Sequence, residues 1–374
     1  MKVANPGLIS AGANWRGKHH TDVTAPAQRP HHLPSLDGLR ACAILLVIVA
    51  HLTHTLAESS SLFTVFGDLG NLGVRIFFIL SGFLITQLLL REEVRSGSIS
   101  LRRFYLRRVL RIFPAFFFFI AAMVAASRLG WIPLPTRDVL FAATFLANFQ
   151  TDRGWYLGHT WSLAVEEQFY LIWPTIFLLA GKRWRLTVAI AAVIIAPVVR
   201  VGVFLMAPEA QRSIGEIFPT IMDTIAIGAA LALARQALHQ RDWYLSLLAS
   251  RWCLAIPIAV LACNWFIFAF AWPGWLLGET LLNLTIVFGI DRALTHSTGM
   301  IGRVLNLPMV AWIGTLSYSL YLWQQPYLPR AGRWPLQLLP WNVLALTGCA
   351  ILSYYLVERP FVKLKDRLGR QAHA

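Results

Sequence analysis

Charged side chains are scarce in this sequence. Asp, Glu, Lys and Arg make up only 14% of the 374 residues, whereas soluble domains carry about 25%. Hydrophobic residues reach 57%, against about 45–50% in an average soluble domain. These proportions exclude a disordered chain and a water-soluble globular domain. The apolar residues recur in runs of about 20, which is the length that a helix needs to cross a bilayer.

Cysteine is rare as well, and no metal site is expected. The sequence has four cysteines, none of them in a Cys-x-x-Cys pair or at the spacing of metal ligands. Each lies inside an apolar run, where a thiol behaves as a small buried hydrophobic group. The four are Cys42, Cys253, Cys263 and Cys349.

The apolar runs predict an all-α integral membrane protein. We predict about ten transmembrane helices with both termini in the cytoplasm. The membrane domain is expected over residues 35–361, between a disordered cytoplasmic tail at 1–34 and a basic cytoplasmic tail at 362–374. No secretory signal is expected, because no apolar segment follows the first basic residues. The predicted spans are 39–57, 72–90, 109–127, 163–180, 187–206, 217–234, 252–271, 275–290, 307–325 and 338–357.

The net charge of +15 first suggests a nucleic-acid-binding protein, but the positions of the basic residues argue against it. With the N-terminus inside, the ten spans leave 25 of the 33 Lys and Arg residues on the cytoplasmic side. This asymmetry follows the positive-inside rule and supports an even number of spans. We therefore expect a multi-pass protein embedded in lipid, with no nucleic-acid partner.

The first predicted span carries three polar residues on one face. At 100° per residue, Arg40 and His51 lie about 20° apart around the helix, and Asp37 lies within about 40° of His51. The eleven residues from Arg40 to His51 correspond to a rise of about 16 Å. Arg40 is therefore expected at the cytoplasmic rim and His51 near the middle of the membrane. Polar side chains within spans are costly, which makes them candidates for function.

Two further spans bring polar residues towards the same depth. Ser81 lies about 13 Å along the second span from its outer end, which predicts it at nearly the depth of His51. The neighbouring Gly82 would let another helix or a narrow ligand approach closely. Glu166 lies about one turn below the outer surface in the fourth span. Four arginines crowd the inner rim of these spans: Arg40, Arg107, Arg108 and Arg111.

This arrangement suits group transfer from a long anionic donor. Guanidinium groups at the rim would bind its phosphates, and a thin arm would deliver an acyl group to His51. Histidine is the usual general base near neutral pH. It would activate an acceptor hydroxyl or itself become acylated, and both routes stay open. Glu166 or Asp37 would fix its tautomer or accept a proton.

At these residues the sequence resembles the acyltransferase 3 family of bacterial multi-pass membrane O-acyltransferases. Six elements match in order over about residues 35–361. One such element alone would be a weak signal, whereas six in order are specific. They are Leu36-Asp37-Gly38-Leu39-Arg40 followed by His51, the segment 73–84 with Ser81 and Gly82, Arg107-Arg108-x-x-Arg111-Ile112-x-Pro114, Trp161-Ser162-Leu163-x-x-Glu166-x-Gln168-Phe169-Tyr170, the segment 317–323 with Tyr318, and Tyr355-x-x-Glu358-Arg359-Pro360.

The resemblance implies a membrane O-acyltransferase whose donor is cytoplasmic acyl-CoA, most often acetyl-CoA. The acceptor would be a hydroxyl of a carbohydrate, a glycolipid or a sugar-bearing natural product. It also implies a place in the cell inner membrane and no metal cofactor. No long extension follows residue 361, so the hydrolase-like domain that is fused to some relatives is not expected here.

The same resemblance assigns roles to individual residues. Many members have a histidine at the position of Gln324, so no proton-shuttling role is expected there, although an amide can still bind an acceptor sugar. The resemblance and the residue patterns together predict His51, Glu166 and Asp37 for catalysis, Arg40, Arg107, Arg108, Arg111, Ser81 and Gly82 for donor binding, and Tyr170, Tyr318 and Gln324 for the acceptor.

Two alternatives to the enzyme remain. A transporter or flippase would use intramembrane His, Glu and Arg side chains as a relay without forming a covalent bond. An acyltransferase fold would also suit a protein that passes acyl groups across the membrane to a separate soluble partner. Release of free CoA thiol distinguishes the enzyme from the transporter. The acceptor, the acyl chain length and the oligomeric state are not predicted.

Overall fold

The computed structural model describes residues 35–56, 68–207, 209, 213–269, 278–329 and 335–371, and these residues form helices and connecting loops without strands. The tail predicted at 1–34 lies outside the described residues. A π-helical turn, Tyr354–Glu358, joins the last two helices. The helices are α1 (Leu36–Leu56), α2 (Leu69–Ser96), α3 (Leu101–Arg128), α4 (Thr136–Ala143), α5 (Trp155–Gly158), α6 (Thr160–Leu179), α7 (Gly181–Met206), α8 (Phe218–Leu238), α9 (Asp242–Ala249), α10 (Ile256–Ala269), α11 (Glu279–Thr295), α12 (Met300–Leu305), α13 (Pro308–Tyr327), α14 (Trp341–Ser353) and α15 (Arg359–Gln371).

Local sequence sets the ends of the long helices. The Asp68 carboxylate accepts a hydrogen bond from the backbone N–H of Asn71 (2.8 Å) and caps the start of α2. Gly97 ends the same helix in the left-handed conformation, at φ 69°. Ser100 then caps α3 through the backbone N–H of Arg103. The connection between α2 and α3 is therefore short, and the two helices are expected to run antiparallel.

Six helical segments among the described residues are long and apolar enough to cross a membrane: α1, α2, α3, α7, α8 and the segment from α14 into α15. A seventh is present if α9 and the segment after it, which meet at a bend of 54°, count as one span. For the described residues, the predicted all-α fold with several helices able to span a membrane is confirmed. The number ten and the cytoplasmic position of the termini stay predictions.

Each of the ten predicted spans nevertheless overlaps a helix. Three of them fall on α6, α11 and α13, which do not meet the same criteria of length and hydropathy. Helix α11 has only 17 residues, while α6 contains Glu166, Glu167 and Gln168, and α13 contains two adjacent glutamines. Glu166 and Glu167 of α6 and Gln325 of α13 line the interior cavities described below. The low hydropathy of these two helices therefore does not mean that they are exposed to water.

Small residues set the closest helix contacts. A Cβ atom at Gly82 of α2 would lie 1.9 Å from the Ile225 carbonyl oxygen of α8, and one at Gly228 would lie 2.0 Å from the Ile79 carbonyl oxygen. The two glycines therefore allow the backbones of α2 and α8 to touch reciprocally, as small residues do in membrane helix pairs. Gly82, predicted to bind the donor, serves this helix packing.

The register between α1 and α2 corrects one predicted depth. Gly70 packs against Ala50, and Gly73 packs against Val47. Because the helices run antiparallel, moving eight residues along α2 from Gly73 to Ser81 corresponds to moving about eight residues back along α1, to the level of Arg40. The prediction that Ser81 lies at the depth of His51 is therefore wrong. The offset between neighbouring helices comes from these glycine contacts, which hydropathy boundaries do not report.

A network of four charged residues is buried between α2, α7, α8 and α11. Arg75 contacts Glu279 (2.8 Å), Glu279 also contacts Arg200, and Arg200 contacts Asp223 (2.5 Å). At most 6% of any of these side chains is exposed. Two positive and two negative charges balance, and Asn283 of α11 adds a hydrogen bond to Asp223 (3.2 Å). Paired charges of this kind are the form in which ionisable groups are tolerated inside a membrane.

Candidate active site

An inner cavity of about 100 Å³ brings together most of the residues predicted to bind the donor. Its polar wall contains the guanidinium groups of Arg40, Arg108 and Arg111. Helix α1 supplies the first of these and α3 the other two. Helix α2 adds Ser81, and α6 adds Glu166. Three consecutive helices and α6 thus converge on one small cavity with a polar wall.

Hydrogen bonds and charges fix the side chains of the inner cavity. The Ser81 hydroxyl donates to Oε1 of Glu166 (2.6 Å). The Arg108 guanidinium lies 5.1 Å from the centre of the Tyr170 ring, within range of a cation–π interaction. Arg40 lies 3.6 Å from Asp37 on the preceding turn. The cavity is therefore pre-formed by contacts between its own lining residues.

Other predicted residues lie at the edge of this cavity or outside it. Tyr318 lines the inner cavity, and its hydroxyl donates to the Ile112 carbonyl (3.0 Å). Arg107 lines neither cavity; it contacts Glu92 at 2.5 Å. Asp37 does not line the cavities either and serves as the partner of Arg40. Gln324 is fully buried away from both cavities, and within the described part of the chain its amide makes no hydrogen bond.

His51 lines a second, outer cavity of about 340 Å³. The ring of Trp155 stands edge-on to the imidazole, with 5.5 Å between ring centres. Asn71 and Arg153 line the same space, together with Glu216, which forms an ion pair with Arg153. The lining therefore combines aromatic rings, which suit the apolar faces of a sugar, with groups that can hydrogen-bond hydroxyls.

The tautomer of His51 follows from its own helix. Nδ1 lies 2.9 Å from the carbonyl oxygen of Val47, one turn earlier in α1. A carbonyl oxygen can only accept, so Nδ1 carries the proton in the neutral ring. Nε2 is then the nitrogen that holds the lone pair and can take a proton. The backbone carbonyl of Val47 thus helps to orient the imidazole.

The two cavities adjoin each other. Val74 of α2 and Tyr321 of α13 line both of them. The Tyr321 hydroxyl lies 2.6 Å from the Ser162 hydroxyl and donates to the carbonyl oxygen of His159 (3.1 Å). A narrow partition formed by these side chains therefore separates the guanidinium groups on the inner side from His51 on the outer side.

Sequence reasoning missed His159 and its partner Gln325. His159 is buried in the wall of the outer cavity, where its backbone N–H and Nδ1 both lie within 3.1 Å of the Gln325 Oε1 atom. The backbone N–H requires an acceptor, so the amide oxygen faces His159, and Nδ1 donates to it as well. The sequence shows the histidine two residues before Trp161, but it does not show the contact with Gln325, which lies 166 residues away.

Comparison with known proteins now identifies the chain. The sequence model of a family described as an acyltransferase domain matches residues 33–359. The chain belongs to the acyltransferase 3 family. The match covers both cavities and, apart from Pro360, all the elements that carried the resemblance, so the acyltransferase domain accounts for nearly the whole described structure.

The acyltransferase domain is similar to three bacterial proteins at the level of 27–28% identity. The putative peptidoglycan O-acetyltransferase YrhL of Bacillus subtilis is 28% identical, over 89% of this chain and 55% of the relative. The O-acetyltransferase OatA of Staphylococcus aureus is 27% identical, over 89% and 58%. The peptidoglycan O-acetyltransferase OatA of Listeria monocytogenes is 27% identical, over 79% and 49%.

The chain thus spans about half the length of these relatives. The similarity therefore concerns only part of each relative, and what a whole relative does is carried to this chain only as a proposal. No solved structure matches the sequence.

Proposed function

We propose that the chain is a membrane O-acetyltransferase that moves an acetyl group from cytoplasmic acetyl-CoA to a carbohydrate hydroxyl. The observation that carries the proposal is the contact between a guanidinium-lined inner cavity and a histidine-lined outer cavity in a member of the acyltransferase 3 family. Acceptors of the peptidoglycan type are the first candidates, because the names of two relatives specify peptidoglycan.

The inner cavity supplies the chemistry that a CoA donor needs. Arg40, Arg108 and Arg111 present planar donors that match phosphate oxygens in pairs. The rise from Arg40 to His51 is about 16 Å, and the pantetheine arm would cover it past Val74 and Tyr321. A single extended donor molecule would then bind its phosphates at the inner rim and place its thioester beside the imidazole.

His51 would act as the general base in a ternary complex. Nε2 takes the proton of the acceptor hydroxyl while the oxygen attacks the thioester carbonyl carbon. The tetrahedral intermediate collapses with breakage of the carbon–sulfur bond, and the proton on Nε2 passes to the leaving thiolate. In the alternative route the acetyl group is first held covalently by the protein. Labelled acetyl that stays on the protein without acceptor would favour that second route.

The proposal includes a topology and a location. The domain would occupy residues 35–361 with ten spans, in the cell inner membrane, and the segments 1–34 and 362–374 would face the cytoplasm. The distribution of Lys and Arg supports this orientation. It places Arg107, Arg108 and Arg111 on the side where acyl-CoA is made. The donor then enters from the cytoplasm without crossing the bilayer.

Release of CoA thiol tests the activity. The full chain in detergent receives acetyl-CoA with peptidoglycan fragments, and free thiol is followed by colour reaction while the fragments are weighed by mass spectrometry. We expect thiol release that depends on acceptor and a gain of one acetyl group per modified sugar. A transporter forms no covalent bond. If folded protein that binds acetyl-CoA gave neither product, the proposed enzyme activity would be contradicted.

Cysteine labelling tests the topology. In a variant whose four native cysteines are replaced by alanine, Ser98→Cys lies between α2 and α3, and Leu129→Cys follows α3; both positions are exposed. An impermeant maleimide should label Leu129→Cys in intact cells and Ser98→Cys only after the membrane is opened. Labelling in the opposite order would overturn the orientation.

A further inference from the structure

Asn71 lines the outer cavity, and its side-chain amide is held in one orientation. It lies on the first turn of α2, next to Gly70, which packs against Ala50 of α1. His51 is the next residue of α1, and both Asn71 and His51 line the outer cavity. Two polar side chains on neighbouring helices therefore face the same space at the same level.

The side-chain oxygen of Asn71 is held by a guanidinium group. Nε of Arg75, one turn later in α2, donates to Oδ1 of Asn71 at 2.7 Å. A guanidinium only donates, so the amide must turn its oxygen to Arg75 and its NH₂ group away. Within the described part of the chain, Nδ2 of Asn71 makes no hydrogen bond. The two N–H groups of Nδ2 can therefore donate hydrogen bonds to a ligand in the outer cavity.

The guanidinium group of Arg75 is in turn held in place by contacts with α8 and α11. Its Nη2 contacts Glu279 (2.8 Å), and its Nη1 lies 3.4 Å from both the Thr224 hydroxyl and the Asn283 amide oxygen. Every nitrogen of the guanidinium therefore has an acceptor, and only 3% of the residue is exposed. Arg200 and Asp223 extend the network behind Glu279. An arrangement that is fixed before the substrate arrives is what transition-state stabilisation requires.

We propose that Asn71 is a catalytic residue that donates a hydrogen bond from Nδ2 to the thioester carbonyl oxygen, and that Arg75 positions it. The inference rests on the proposed acetyl transfer and adds the group that stabilises negative charge. As the acceptor oxygen bonds to the carbonyl carbon, the electron pair of the C=O bond moves onto oxygen, and Nδ2 of Asn71 binds this oxyanion. The pair returns when the carbon–sulfur bond breaks, and His51 passes the acceptor proton to sulfur.

Two substitutions test the donor role. Asn71→Ala removes the amide, while Asn71→Asp keeps its shape and its contact with Arg75 but replaces the N–H donors by an oxygen. Loss of one such donor lowers kcat by about 10²–10³-fold in a well-studied hydrolase. We expect a fall of that size in kcat for both variants, with the aspartate variant no more active than the alanine variant. The KM values for acetyl-CoA and for the acceptor should change less than about threefold.

The matched control is Gln87→Ala, which removes another amide side chain from α2 at a position that lines neither of these two cavities. It should keep the wild-type kcat. Acetyl-CoA affinity, measured by calorimetry on the same detergent preparations, should be unchanged in every variant. An unchanged kcat in Asn71→Ala would overturn the inference, as would a loss confined to the KM of the acceptor or a loss of acetyl-CoA binding. If the wild type itself releases no CoA thiol, the proposed function fails instead.

Discussion

Replacing His51 with alanine is expected to lower the kcat of acetyl transfer by about 10²–10⁴-fold, the contribution of a positioned general base. The reason is the fixed tautomer: the Val47 carbonyl occupies Nδ1 and leaves Nε2 as the proton acceptor in the outer cavity. The measurement is acceptor-dependent release of CoA thiol by purified protein. The KM for acetyl-CoA should change little, because the donor phosphates bind at the inner cavity.

The matched control is His296→Ala, which makes the same substitution at the end of α11, away from both cavities. It should retain the wild-type rate. Equal size-exclusion profiles and equal acetyl-CoA affinities would show that His51→Ala is folded. A folded His51→Ala variant with wild-type kcat would remove the histidine from the mechanism. A tenfold or greater rise in the KM for acetyl-CoA with unchanged kcat would place His51 in donor binding.

The sequence predicted the residues of the site better than their arrangement. Arg40, Ser81 and Glu166 could be recognised because each is polar within an apolar run, and the structure brings them to one cavity. Their relative depth could not be predicted, because it depends on where Gly73 meets Val47. Hydropathy locates each span separately, whereas the offset between two spans is a property of their contact surface.

The residues that were missed depend on long-range contacts. His159 lies at a short turn before α6, and only its burial against Gln325 of α13 shows that it belongs to the cavity wall. Asn71 and Arg75 form a pair within α2, but the function of that pair depends on Glu279, over 200 residues later. Single-sequence patterns contain no information on which of several polar helix faces meet.

Glu279→Met is expected to lower the free energy of unfolding by about 3–5 kcal/mol, as removal of one partner from a buried ion pair does. Glu279 contacts both Arg75 and Arg200. Its removal leaves these two buried guanidinium groups with a single carboxylate, that of Asp223. Titration with SDS in mixed micelles measures the change. The matched control is Glu216→Met. The Glu216 side chain is 25% exposed, and its carboxylate pairs with Arg153. It should cost about 1 kcal/mol or less.

The double variant Arg75→Met with Glu279→Met separates stability from catalysis. It removes a whole pair and leaves Arg200 with Asp223, so charge balance is restored and much of the lost stability should return. The kcat of the double variant should lie well below the wild-type kcat, because Asn71 has lost the guanidinium that turns its amide towards the cavity. A wild-type kcat together with recovered stability would show that the network supports only the fold. Recovery of stability alone would show that these buried charges also fix the orientation of a group at the site of acetyl transfer.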